Sequence, residues 1–256
     1  MDVINRRTAV AGLALLSICR PARAAPPEQL SVDADEGSVA LTRYAADHAG
    51  RRASVLLLHG TRGFELRPRA YERYANALSA RGIDAYLLRY LTAADAPVFD
   101  SRTSTRESRE AHETRRFDSW AKRVSAVMTT ILARPDSSGR VGLLGFSLGG
   151  YVAAETAARD ARVTALAVLY GGMPDAMVRE VRHLPPLIEL HGEADRNVPP
   201  VKGEQLVKLG KAIGGEAEFV SYPGKQHGFD FSDTDPMTAD AVARVIRFFE
   251  FRLNVA

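Results

Sequence analysis

The sequence predicts an α/β protein built on a doubly wound, mostly parallel sheet with helices on both faces. Three observations lead there. Near-continuous apolar runs of strand length recur at 54–58, 140–145, 163–170 and 187–191, and such runs suit strands covered on both sides. Segments of helical period separate them, as crossovers between parallel strands require. The stretch Val141 to Gly150 closes a strand on G-x-S-x-G and runs straight into a helical segment.

Residues 1–24 read as a leader of the twin-arginine type. Arg6-Arg7 precedes an apolar run from Ala9 to Ile18, and Ala22-Arg23-Ala24 offers a small-x-small cleavage site. The run is too short for a permanent membrane span. Export to the periplasm or the medium is therefore expected. Of 34 basic and 31 acidic residues in the chain, four and one lie in this leader, which leaves 30 of each beyond it. The basic balance belongs to the leader and gives no reason to expect nucleic acid as a partner. The one cysteine, Cys19, also lies there, so no disulfide and no thiol nucleophile is expected in the rest.

The remaining elements follow in order. Residues 25–36 are Pro-containing and polar and read as a flexible lead-in to one domain over 37–256. Val39–Tyr44 fits a first, edge strand. Ser54–Leu58 is a buried strand ending on His59-Gly60. Pro68–Arg81 has helical spacing, with Tyr71, Tyr74, Ala75 and Leu78 on one side and Gly82 as its stop. Ile83–Tyr90 is the next strand. Residues 91–118 are long, charged and weakly periodic, and read either as a solvated helix laced with ion pairs or as a cap or flap over a site. Phe117–Leu132 is a helix with the stripe Trp120, Val124, Val127, Met128 and Ile131. Then come strand 140–145, helix 148–159, strand 163–170, strand 187–191, helix 201–213, strand 217–221 and a last helix, 236–252.

The motif Gly145-Phe146-Ser147-Leu148-Gly149 between strand and helix is a nucleophile elbow, a turn that exposes a serine oxygen at the carboxyl edge of a sheet. It indicates the α/β-hydrolase fold. A serine hydroxyl is a poor nucleophile near neutral pH. It needs a histidine to take its proton and a carboxylate to fix that imidazole. On this fold the chain order is Ser, Asp/Glu, His. Asp195 follows a buried strand and precedes a helix, and His227 follows the last strand and precedes the last helix. Glu193 is the nearest rival acid. His183 and His191 precede Asp195 and are excluded as base by order; His48 and His112 read as surface residues. The oxyanion calls for two N–H donors. The backbone of Leu148 supplies one; loop 59–63 supplies the other, with Thr61 expected and Gly60 or Arg62 as alternatives. His59 is expected to brace that loop. Arg62 is a candidate anchor for an acidic substrate group, against the plainer reading of a surface arginine.

The chain resembles the dienelactone hydrolase family. The resemblance rests on Gly139 to Gly150, on Ala167 to Gly172, on His191-Gly192-Glu193-Ala194-Asp195 with Val198-Pro199, and on Tyr222-Pro223-Gly224 with His227-Gly228-Phe229. Members of the namesake type use cysteine at the elbow and a glutamate in the oxyanion loop, where this chain has Ser147 and Gly60. The two departures fit together, since a resting thiol needs control of its ionisation and a histidine-activated serine does not. The resemblance implies hydrolysis of a small carboxylic ester. It also implies arginines that hold a substrate carboxylate, for which Arg89 is the nearest candidate. A peptidase or acyl transferase on the same fold, and a non-catalytic exported binding module, are the competing readings. Histidines and acids lack ligand spacing and no phosphate-cradling glycine loop is present, so no metal and no nucleotide cofactor is expected.

Overall fold

The computed structural model describes residues 26–99 and 104–253. The leader expected at 1–24 lies outside them. Eight strands form one sheet: β1 (Glu28–Val32), β2 (Val39–Tyr44), β3 (Arg52–Leu58), β4 (Asp84–Leu88), β5 (Ser137–Phe146), β6 (Val163–Leu169), β7 (Leu187–Gly192) and β8 (Ala217–Tyr222). Their order is β1-β2-β4-β3-β5-β6-β7-β8. The strands from β4 to β8 run parallel; β1 and β2 are antiparallel additions at one side. Among the described residues five α-helices accompany them: α1 (Pro68–Ser79), α2 (Arg106–Leu132), α3 (Leu148–Arg159), α4 (Val201–Ala212) and α5 (Pro236–Arg252). This is the doubly wound α/β-hydrolase architecture.

The pleat sorts side chains into two cores. Leu56 and Leu58 of β3 point to the face covered by α2, α3 and α4, where Trp120, Val124, Val152 and Leu206 are buried. Val55 and Leu57 point to the other face and meet Tyr74 and Leu78 of α1 and Val245 and Phe249 of α5. Alternation with period two on a strand covered on both sides produces the unbroken apolar runs of the sequence. From β3 the chain steps out to β4, returns past β3 to β5, then winds outward through β8. The reversal leaves a crevice at the carboxyl ends of β3 and β5, where ligands bind in open sheets.

Two expectations need correction. The lead-in is not flexible throughout: Glu28–Val32 is a strand paired with Val39–Tyr44, so β2 is an interior strand and β1 is the edge. The turn between them is tied down by α2. Arg123 sits at 1 % exposure. It donates to the carbonyl of Tyr90 at 3.0 Å, to those of Gly37 and Ser38 at 3.0 and 3.2 Å, and to that of Asp35. Arg116 and Ser119 also hold the Glu36 carboxylate. None of these partners is near Arg123 in sequence, so the local polarity of 25–36 gave no sign of them.

The second correction concerns where the next helix starts. Of the two readings of 91–118 the helix holds over 106–118: these residues are the opening turns of α2, which starts at Arg106, eleven residues before the expected Phe117. Thr105 caps it, its hydroxyl accepting from the Ser108 N–H at 3.1 Å. Those turns are held by a buried carboxylate rather than by an apolar face. Asp95, fully buried, accepts from the Thr92 N–H (2.7 Å), Arg116 (2.9 Å) and Trp120 (3.0 Å), and His112 lies 2.8 Å from it. Burial pushes this carboxyl up; its donors outweigh that and hold it down at about 2. His112 is accordingly part of this cluster and not a surface residue.

Arg123→Met should lower stability by about 3 kcal/mol, because four buried or half-buried carbonyls lose their donor at once. Thermal unfolding checks it against Arg81→Met, an exposed arginine paired with Glu250, for which a change under about 1 kcal/mol is expected.

Candidate active site

Ser147 stands between β5 and α3 at φ 54°, ψ −121°. A non-glycine residue at positive φ is strained, and the packing around it explains why it stays there. A Cβ on Gly145 would lie 2.3 Å from the Gly149 carbonyl oxygen, and one on Gly149 would lie 2.2 Å from the carbonyl oxygen of Leu58 at the end of β3. The turn is therefore pressed against its own helix and against the neighbouring strand. Only glycine fits at either place, which is the steric basis of the G-x-S-x-G spacing. The Ser147 N–H donates to the Leu169 carbonyl at 3.0 Å, which ties the turn to β6 as well.

His227 and Asp195 arrive from the ends of β8 and β7. His227 Nε2 is 2.9 Å from Ser147 Oγ and its Nδ1 is 2.7 Å from Asp195 Oδ2. The other Asp195 oxygen accepts from the backbone N–H groups of Asn197 (2.8 Å) and Val198 (3.0 Å). Burial alone would raise the Asp195 carboxyl; hydrogen bonds from His191 and His227 hold it well below the usual carboxylate range. The rival Glu193 turns away and accepts from the Ser221 hydroxyl at 2.7 Å. The Tyr170 ring lies against the His227 imidazole, centroids 4.6 Å apart, and its hydroxyl donates to the buried Asp230 at 2.8 Å. Asp230 lies three residues past His227, so this bond anchors the histidine loop.

The loop after β3 passes over the serine. A Cβ at Gly60 would be 3.3 Å from Ser147 Cβ and 3.9 Å from Ser147 Oγ, so any side chain here would start beside the nucleophile. The Gly60 N–H faces the Tyr71 hydroxyl at 3.4 Å. The Leu148 N–H belongs to the first residue of α3, where helix geometry provides no acceptor. His59 braces the loop as expected: its Nδ1 is 2.7 Å from the Gly60 carbonyl, its ring stacks on Tyr90 at 4.7 Å and meets Phe64 edge-on at 4.8 Å. Burial lowers its pKa to about 4, so the ring is neutral and donates from Nδ1.

Ser147 and His227 open into a cleft of about 960 Å³. Thr61 and Arg62 line it; Arg89 does not. Arg89 pairs with Glu65, lies over the Phe64 ring at 5.7 Å, and borders a shallower neighbouring cavity. Its expected place near the reacting centre is thus corrected: β4 ends one strand beyond β3, and the side chain leaves on the far side of the oxyanion loop. The opposite wall is made by Phe99 and by Arg109, Glu113 and Phe117 of α2, all within the 91–118 region expected as a possible flap over the site. Burial, with Glu110 adding to it and Arg109 opposing, pushes the Glu113 carboxyl up to about 7. The local pattern does not mark which of these charges face the cleft and which face solvent. Among the described residues no cluster of histidines, cysteines and acids could hold a metal ion, and no helix is long and apolar enough to cross a membrane.

Comparison with known proteins agrees with this fold. The sequence matches the dienelactone hydrolase family over residues 87–251. A dienelactone hydrolase from Anabaena variabilis superposes with a TM-score of 0.70 at 20% identity, covering 88% of this chain and 98% of that one. A thermostable carboxylesterase cloned from a metagenomic library gives 0.65 at 18%, covering 88% and 89%. An acylaminoacyl peptidase from Pyrococcus horikoshii gives 0.68 at 12%, covering 90% of this chain but 42% of that one. These likenesses are of fold. A comparison with curated protein sequences gives no match.

Gly149→Ala should cost roughly 3 kcal/mol or more, since its Cβ has no room against the Leu58 carbonyl. Thermal unfolding reads the loss. In whatever folded fraction survives, Ser147 should react more slowly with a fluorophosphonate, because the turn must shift to admit the methyl group.

Proposed function

The chain belongs to the dienelactone hydrolase family, and from that premise we propose that it is an exported serine hydrolase which cleaves small carboxylic esters through an acyl-enzyme. The observation that carries this reading is one continuous hydrogen-bonded line, Asp195 Oδ2 to His227 Nδ1 at 2.7 Å and His227 Nε2 to Ser147 Oγ at 2.9 Å. Export is supported by the Arg6-Arg7 pair, the apolar run and the Ala22-Arg23-Ala24 site.

Ser147 Oγ attacks the ester carbonyl as His227 Nε2 takes its proton. Asp195, kept ionised by its donors, holds the imidazole with Nδ1–H toward itself and stabilises the imidazolium that forms. The carbonyl oxygen gains a negative charge, which the N–H groups of Leu148 and Thr61 meet. When the tetrahedral species collapses, the ester C–O bond breaks and the alcohol leaves with the proton from His227. Water, deprotonated by the same imidazole, then cleaves the acyl-enzyme, releases the acid and restores the serine. Arg62 on the cleft lining offers a cation to an acidic acyl or alcohol group.

Ser147→Ala is expected to abolish both fluorophosphonate labelling and hydrolysis of short p-nitrophenyl esters. His227→Ala and Asp195→Asn should each lower kcat by about a thousandfold or more. Undiminished hydrolysis by the serine variant would overturn the reading. Turnover of peptide amides in preference to esters would favour a peptidase. Replacing Arg6 and Arg7 by lysine should leave the precursor in the cytoplasm, which fractionation and immunoblotting read directly.

A further inference from the structure

Behind Asp195 lies a second histidine that chain order rules out as the base. His191, fully buried at the end of β7, has Nδ1 2.8 Å from Glu189 Oε1 and Nε2 2.9 Å from the Val198 carbonyl. The same Nε2 is 3.4 Å from Asp195 Oδ2, the oxygen that holds His227. A carbonyl can only accept, so Nε2 must carry a proton. Glu189 Oε1 also accepts from the Gly171 N–H at 3.4 Å, and as an ionised carboxylate it would accept from Nδ1 as well. Two acceptors on opposite sides of one ring describe an imidazolium. The packing preserves this arrangement, because α4 offers Gly203 to the Glu189 carboxylate and a Cβ there would lie 2.4 Å from its carbon.

We infer that His191 is a positioning residue for the proposed hydrolysis: an imidazolium, held by Glu189, that ties down the Asp195 loop through the Val198 carbonyl and keeps Asp195 anionic and aimed at His227. This rests on the esterase reading above. The electrostatics agree with the geometry. Burial alone would lower the His191 pKa, and the hydrogen bonds to Asp195 and Glu189 outweigh it and raise it to about 10. Burial pushes the Glu189 carboxyl up, and the cation beside it opposes that. Glu189 faces the ring from its own strand, Asp195 from the following loop and His227 from beyond Asp195. Phe219 of β8 stacks on it with centroids 6.4 Å apart, and Tyr151 of α3 feels both carboxylates as a neutral phenol.

Two measurements test this. Nitrogen-15 spectra of the wild-type protein should show both His191 ring nitrogens protonated from pH 5 to 8. A neutral His191 at pH 7 would overturn the inference, whatever the variants do. The second is the kinetics of His191→Gln and His191→Phe. With folding verified by thermal unfolding, kcat should fall about tenfold or more with KM within about threefold. The acidic limb of kcat/KM should move to higher pH by roughly half to one unit. The sign follows because losing a positive charge on the far side of Asp195 makes protonation of His227 easier. In an Asp195→Asn background, His191→Gln should add little, since its effect passes through that carboxylate. A folded variant with an unmoved limb and unchanged kcat would overturn the proposal. If the wild type shows no turnover dependent on Ser147, it is the esterase reading that has failed, and the charge state of His191 is still decided by the spectra.

Discussion

At the carboxyl edge of the sheet, the turn that carries Ser147 lies directly against the last carbonyl of β3, with Gly149 as the point of contact. The rest of the site is built outward from that contact. It holds the serine at positive φ, brings the first N–H of α3 alongside the hydroxyl, and sets the distance to the loop that follows β3. That loop must be as rigid as the turn if its N–H groups are to act as fixed dipoles, since preorganised donors lose no energy to reorientation when charge develops. Rigidity comes from His59, clamped between the Tyr90 and Phe64 rings and bonded to its own loop.

The loops at this edge are fastened by buried carboxylates. Asp95 gathers the segment after β4 onto α2, Asp195 orders the loop after β7, and Asp230 receives Tyr170 and so steadies the loop after β8. A buried carboxylate is tolerated only where several donors surround it. Asp95 and Asp195 each meet several donors, while Asp230 takes the Tyr170 hydroxyl and leaves its second oxygen without a partner; each fixes a loop that has too little apolar surface to order itself. Asp195 has the additional constraint of presenting one oxygen to His227. Its other oxygen is occupied by backbone N–H groups, and His191 stands behind the first.

Legibility in the sequence followed the range of the forces involved. The strands and most helices were readable because burial on two faces or one leaves a periodic record in neighbouring residues. The elbow was readable because its steric demand falls on positions two residues either side of the serine. That Asp195 and His227 would come near Ser147 was readable through their places after strands and their order along the chain. By contrast, β1 and the choice between the two readings of 91–118 were not. The order of both segments comes from Arg123, Arg116 and Asp95, whose partners lie tens of residues away and have no local pattern.

What the sequence alone determined was the alternation of strand and helix, the turn at Ser147, and the three residue types whose order suits a serine hydrolase. What only the tertiary structure decided was distance and direction. It set a 2.9 Å approach of His227 to Ser147, put Arg89 outside the cleft and Glu113 inside it, and drew His191 against Asp195. The difference is physical. Secondary structure and tight turns are selected by neighbours within a few residues, whereas a site assembled at the reversal point of a sheet depends on where separate strand ends are carried by the packing of two cores.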